Sequence, residues 1–175
     1  MYGNNKSGLY ALLAGAVMLS GCSSFFQGKP YVFPQPDEPS ATVRLKYTRG
    51  TSLDAVTFNE KGCYGGATSL NYLADDFIES QVAVGKELVL TYEHVVAGAI
   101  CRIPFSFTPQ AGAIYTVKSG SWSESKPGIL PIFNYDQNHC GINVVKKIGT
   151  HESVEPIQQL HYKTGLTCLL SLIHI

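Results

Sequence analysis

The sequence predicts an all-β fold, an antiparallel β-sandwich, and three observations predict it. Apolar and polar residues alternate with period two: "TVRLKY" sets Val43, Leu45 and Tyr47 against Arg44 and Lys46, and "KELVLTYEH" sets Leu88, Leu90 and Tyr92 against Glu87, Thr91 and Glu93. Such alternation marks strands buried on one face. Six or more short runs of this kind are separated by Gly and Pro turn signals, the spacing of a sandwich rather than of a helical domain. Helical periodicity is almost missing, and only "SLNYLADDFIES" leaves room for a short helix.

The chain opens with a short polar stretch carrying Lys6. An uncharged apolar run follows from Leu9 to Leu19, then small residues and a cysteine. A run of about 10–12 apolar residues is too short to cross a bilayer as a helix but suits the core of a signal peptide. Leu19-Ser20-Gly21-Cys22 resembles a bacterial lipobox. That resemblance implies a lipoprotein signal peptide over 1–21, cleavage before Cys22, and acylation of the Cys22 thiol and amino group. Two or three acyl chains hold durably where one holds marginally. Ser23, by the same resemblance, implies export to the outer membrane and a periplasmic or surface-facing domain.

Pro30, Pro34, Pro36 and Pro39 exclude helix from "SSFFQGKPYVFPQPDEPS", so residues 22–40 read as the lipidated cysteine and an extended tether. Phe25, Phe26, Tyr31 and Phe33 within it have two possible places, the membrane interface or the domain surface. The domain is then expected over 41–169, long enough to bury one core. "TVRLKY" opens it, "AVTFNE" adds a short strand near 55–60, and Gly65-Gly66 in "KGCYGG" reads as a turn. "KELVLTYEH" and "AICRIPFSF" follow, the latter with Cys101, Ile103, Phe105 and Phe107 on one side; Pro104 in it faces an edge or marks a bulge. "FSFTPQAGAIYTV" reads as a hairpin about Pro109-Gln110-Ala111-Gly112, with Gly112 free to take positive φ. The pattern carried by Phe107, Pro109, Ala111, Gly112, Tyr115 and Val117 resembles a stretch of small proteobacterial lipoproteins with β-sandwich domains, which implies a fold and an address but no reaction. Residues 119–139 read as a long loop carrying Trp122, Phe133 and Tyr135, rigid aromatic residues suited to sugar or protein contacts or to capping the sandwich. "GINVVKKI" supplies a further strand. The terminal Leu170-Ser171-Leu172-Ile173-His174-Ile175 is either a closing strand or, since it resembles residue for residue a translated sequencing-library adapter, a non-native tail.

With Cys22 assigned to lipid, Cys63, Cys101, Cys140 and Cys168 remain, and an oxidising envelope makes disulfides the expectation. Three pairings are open; Cys63 with Cys101 is favoured because each adjoins a strand. The cysteines and histidines lack zinc-ligand spacing, so no metal or other cofactor is expected. No H-E-x-x-H, nucleophile elbow or phosphate-binding loop occurs. His139 and Cys140 are neighbours that point to opposite strand faces, and Asp75-Asp76 sits by a turn, so no catalytic residues are expected. Formal net charge is zero and charged residues are 15% of the chain, which argues against nucleic acid. The expected function is therefore a non-enzymatic, envelope-anchored interaction or accessory module with an envelope protein or glycan partner. The alternatives are a glycan- or peptide-binding module using Trp122 and a small hydrolase using His139 or His151.

Overall fold

A computed structural model describes residues 29–59, 62–70, 72–96, 99–127 and 134–161. Residues 1–21, where a signal peptide is expected, together with Cys22, Phe25, Phe26, Phe133, Cys168 and the terminal 170–175, lie outside the described residues. Among the described residues, eleven strands make two sheets: β1 (Ser40–Lys46), β2 (Thr51–Phe58), β3 (Tyr64–Ser69), β4 (Tyr72–Ala74), β5 (Phe77–Ala83), β6 (Leu88–Val96), β7 (Ala99–Phe107), β8 (Ile114–Pro127), β9 (Asn134–Ile148), β10 (His151–Val154) and β11 (Gln158–Gln159). The first sheet runs β10-β9-β8-β1-β5-β4 and the second β11-β7-β6-β2-β3. The β1–β8 pairing is parallel; the other pairings among the described residues are antiparallel.

The two inner faces meet in one apolar core. Val43, Leu45, Tyr115, Val117 and Val144 from the first sheet pack with Leu53, Leu88, Leu90, Tyr92, Phe105 and Phe107 from the second. The alternation read in β1, β6 and β7 thus has the correct phase, except that Tyr47 falls just beyond β1 and is exposed. The opposite face of β6 is less polar than expected: Val89 and Thr91 are buried there as well. Pro104 offers its carbonyl to the Leu160 N–H on the β11 side. Its nitrogen faces the same way, toward a partner strand only two residues long, so the missing donor breaks little of the ladder.

Four local readings change. "FSFTPQAGAIYTV" turns at Gly112, φ 71°, but it is not a hairpin. β7 belongs to one sheet and β8 to the other, so the turn arches across the core. Period-two runs flanking a turn look the same whether they pair side by side or face each other; here they face, and Phe107 packs on Tyr115 with ring centroids 4.7 Å apart. "SLNYLADDFIES" contributes no helix; β4 and β5 pair through Ala74↔Phe77. Asp75 and Asp76 both take positive φ, 46° and 64°, the geometry of a two-residue type I′ hairpin turn that aspartate tolerates. Gly65-Gly66 lie within edge strand β3, where the register with β2 shifts at Thr57/Phe58, a bulge rather than a turn. Residues 119–139 are mostly strand, as described below.

Of the tether aromatics, Tyr31 and Phe33 pack against the core. The Tyr31 N–H donates to Thr68 Oγ1 at 3.1 Å, the Ala83 N–H donates to Tyr31 Oη at 2.9 Å, and Thr57 Oγ1 donates to the Lys29 carbonyl at 2.7 Å. Thr57 and Thr68 belong to the second sheet and Ala83 to the first, so residues 29–33 close the seam between the sheets. Of the two places open to these aromatics, Tyr31 and Phe33 take the domain surface.

Burial holds the Tyr31 and Tyr115 phenols above the ordinary value of 10.0, opposed by the N–H bonds from Ala83 and Gln110. The hydrogen bond to Glu155 is the main reason that the Lys146 ammonium lies above 10.5. All three groups keep their protons in the folded chain at a pH where the unfolded chain has released them. Their stabilisation is therefore fully present below the unfolded values and is lost as pH rises through the raised folded ones. Urea unfolding followed against pH should show stability falling above about pH 10. Tyr31→Phe and Lys146→Gln should each flatten that fall; an unchanged slope in both would show that these groups do not set it.

Candidate functional site

The longest strands among the described residues belong to a sequence without strong alternation. β8 and β9 pair continuously from Ile114↔Lys147 to Pro127↔Asn134, whereas β1 covers β8 only over Ile114–Val117. Beyond that point they run on as a two-stranded ribbon. From Gly120↔Gly141 outward it is about 25 Å long at ordinary strand rise. Of the expected long loop, residues 119–127 and 134–139 are strand, and 128–133 lie outside the described residues. Period two was hard to see because neither ribbon face is core: Ser119, Ser121, Ser123 and Ser125 are all exposed, and so are Gly120, Trp122 and Glu124.

Alternation along paired strands sorts the ribbon into two faces. One continues the inner face of the sandwich and carries the four serines opposite Ile142, Cys140, Asn138 and Asp136. Ser123 Oγ lies 2.6 Å from Asn138 Oδ1 on this side. Cys140 here is bonded to Cys101 of β7, with Cα atoms 6.2 Å apart. This bridge joins the two sheets at the base of the ribbon. It replaces the expected Cys63–Cys101 pair for a geometric reason. Cys63 adjoins β3, and β2 and β6 lie between β3 and β7, roughly 14 Å of strand spacing, against a Cα reach of about 7 Å for a disulfide. Cys63 is buried and also disulfide-bonded; its partner is not among the described residues.

The other face carries Gly120, Trp122, Glu124 and Lys126 opposite Gly141, His139, Gln137 and Tyr135. Trp122 and His139 are direct cross-strand partners. Their rings stack with centroids 5.4 Å apart and planes 14° from parallel, while the indole remains 56% exposed. A Cβ on Gly141 would meet the indole Cζ3 at 3.3 Å, so the glycine leaves the space that the ring uses. Glu124 Oε2 lies 3.4 Å from His139 Nε2 and 3.8 Å from Lys126 Nζ. The indole thus stacks on His139, whose Nε2 lies beside the Glu124 carboxylate, and Lys126 and Gln137 follow along the same face.

Of the residues singled out from sequence, Trp122 and His139 come together. Phe133 is outside the described residues, and of Tyr135 only its place opposite Lys126 is described. Cys140 points away from His139, as adjacency in a strand requires. Ser123 is likewise on the face opposite His139, turned to Asn138. His151 is exposed in β10, away from the ribbon. The pairing of Trp122 with His139 follows from the β8–β9 register, which the sequence of 119–139 does not signal. Among the described residues, no three His, Cys, Asp or Glu side chains cluster as metal ligands, and no helix is long and apolar enough to cross a membrane.

The two poles of the sandwich differ. At one lie Lys29, Ser40, Ala83, Gly85 and the Pro109–Gly112 turn, joined by the Gly85 N–H bond to the Pro109 carbonyl and the Gly112 N–H bond to the Ser40 carbonyl. At the other lie the β1–β2 turn and the β6–β7 tip, joined where the Val95 N–H meets the Gly50 carbonyl. Gly50 is held at φ 84°, with room for no Cβ beside the Val95 carbonyl oxygen. Because β8 runs parallel to β1, the ribbon leaves the sandwich at this second pole. Comparison of the chain with protein-family models, with curated proteins and with solved structures finds no match.

Proposed function

We propose that this chain is an envelope-anchored, non-catalytic interaction module, lipidated at Cys22 and held to the outer membrane, whose contact surface is the β8–β9 ribbon. The observation that carries the reading is the opposition of the poles. Cys22 precedes Lys29 by seven residues, at most about 25 Å of extended chain, so a lipid on Cys22 tethers the Lys29 pole. The ribbon, with exposed Trp122, leaves from the other pole and reaches away from the bilayer. A rigid aromatic side chain carried on a projecting element suits contact with another envelope component.

Two measurements test the two halves. Cys22→Ser removes the thiol nucleophile that takes up lipid, so it should leave an uncut precursor without palmitate label; normal cleavage and labelling would end the anchor reading. A photocrosslinking amino acid placed at Lys126 on the ribbon should capture an envelope component in growing cells. The same amino acid at exposed Lys86, near the tethered pole, should not. Equal capture from both positions would end the ribbon reading.

A further inference from the structure

We propose that the Trp122 face of the ribbon is a saccharide platform that takes a β-linked pyranose chain; this deepens the ribbon reading above and rests on it. Such sugars present a flat, C–H-lined face that packs on an aromatic ring and a rim of hydroxyls that need donors and acceptors. Trp122 supplies the ring, 56% exposed and stacked on His139. Glu124, Lys126 and Gln137 supply carboxylate, ammonium and amide along the same face.

The surroundings favour sugar over a protein partner. A protein hot spot centres on an aromatic residue ringed by contacts that exclude water. Here the positions next to Trp122 and His139 on this face are Gly120, Glu124, Gln137 and Gly141, none of them a large aliphatic residue. The exposed aliphatic residues near this pole, Val95 and Ile100, belong to the other sheet, so they do not extend the Trp122 surface.

Trp122 is the only tryptophan, so emission of the intact protein reports on this platform alone. The full-length lipidated protein in a sugar-free detergent should be titrated with the β-1,4-linked tetramer of N-acetylglucosamine, with sorbitol as the control solute. The expected result is a saturable blue shift with the tetramer and none with sorbitol. By calorimetry, Trp122→Ala should weaken binding about tenfold or more, since ring stacking carries most of the contact. Gly141→Val, which crowds the indole from below while keeping every polar group, should weaken it as well. No shift with the tetramer, or binding unchanged in Trp122→Ala, overturns the saccharide assignment. If the tetramer fails while crosslinking from position 126 persists, only this inference falls; if crosslinking fails too, the ribbon reading falls with it.

Discussion

Phe107→Ala is expected to destabilise the domain by about 3–5 kcal/mol, the range for deleting a buried phenylalanine ring without full collapse of the space. Phe107 is 5% exposed at the end of β7, just before the chain arches into the other sheet. Its ring tilts on Tyr115 at 4.7 Å and lies parallel to Phe105 at 6.3 Å. Tyr115 in turn accepts the Gln110 N–H at 3.0 Å, so the ring contact and the arch hold each other in place. Removing the ring opens the core between the sheets and loosens the turn that joins them. Phe107→Leu keeps most of the volume and should cost clearly less. Urea unfolding at neutral pH measures both; a loss below about 1 kcal/mol for the alanine variant would mean that the arch repacks around the gap.

The same residue marks what a sequence of this kind discloses. The inward positions Leu88, Leu90, Phe107, Tyr115 and Val117 are all buried, because burial on one sheet face imposes period two whatever the strand pairs with. Pairing partners are a separate matter. The Pro109–Gly112 turn has the residues of a hairpin, yet the hydrogen bonds that separate a hairpin from an arch run to β1, β6, β9 and β11, far along the chain. The ribbon was hidden for the opposite reason: with two solvated faces, Ser119–Ser125 carry no apolar alternation to detect. Leu70, Leu73, Ala74, Phe77 and Ile78 also fall at helical spacing, so the sequence alone leaves a helix open there, and it is the pairing of β4 with β5 about Asp75-Asp76 that decides against it. Trp122 stood out by its chemistry, but its stack on His139 depends on a register that only the full β8–β9 pairing sets.

The second large effect is expected at the base of that ribbon. The paired variant Cys101→Ala with Cys140→Ala should lose about 4 kcal/mol, the loop-closure value for a separation near 40 residues; the separation here is 39. Adding reductant to the wild-type chain is a poorer test, since Cys63 is also disulfide-bonded and both bridges would open. The loss has a local part as well. Gly120 and Gly141 face each other one position inward of the bridge, on its sandwich side, and neither offers a side chain to stiffen the point where the ribbon leaves the sheet. The inter-sheet bond at Cys140, one residue away, ties β9 to β7 at that point. Without it, amide exchange along 119–126 and 136–142 should quicken more than in β1 or β6, and the emission of Trp122 should shift toward that of a solvated indole. Uniform quickening across both sheets, with Trp122 emission unchanged, would show that the bond acts only by restricting the unfolded chain. Faster exchange confined to the ribbon would show that the bridge also sets the direction in which Trp122 is presented.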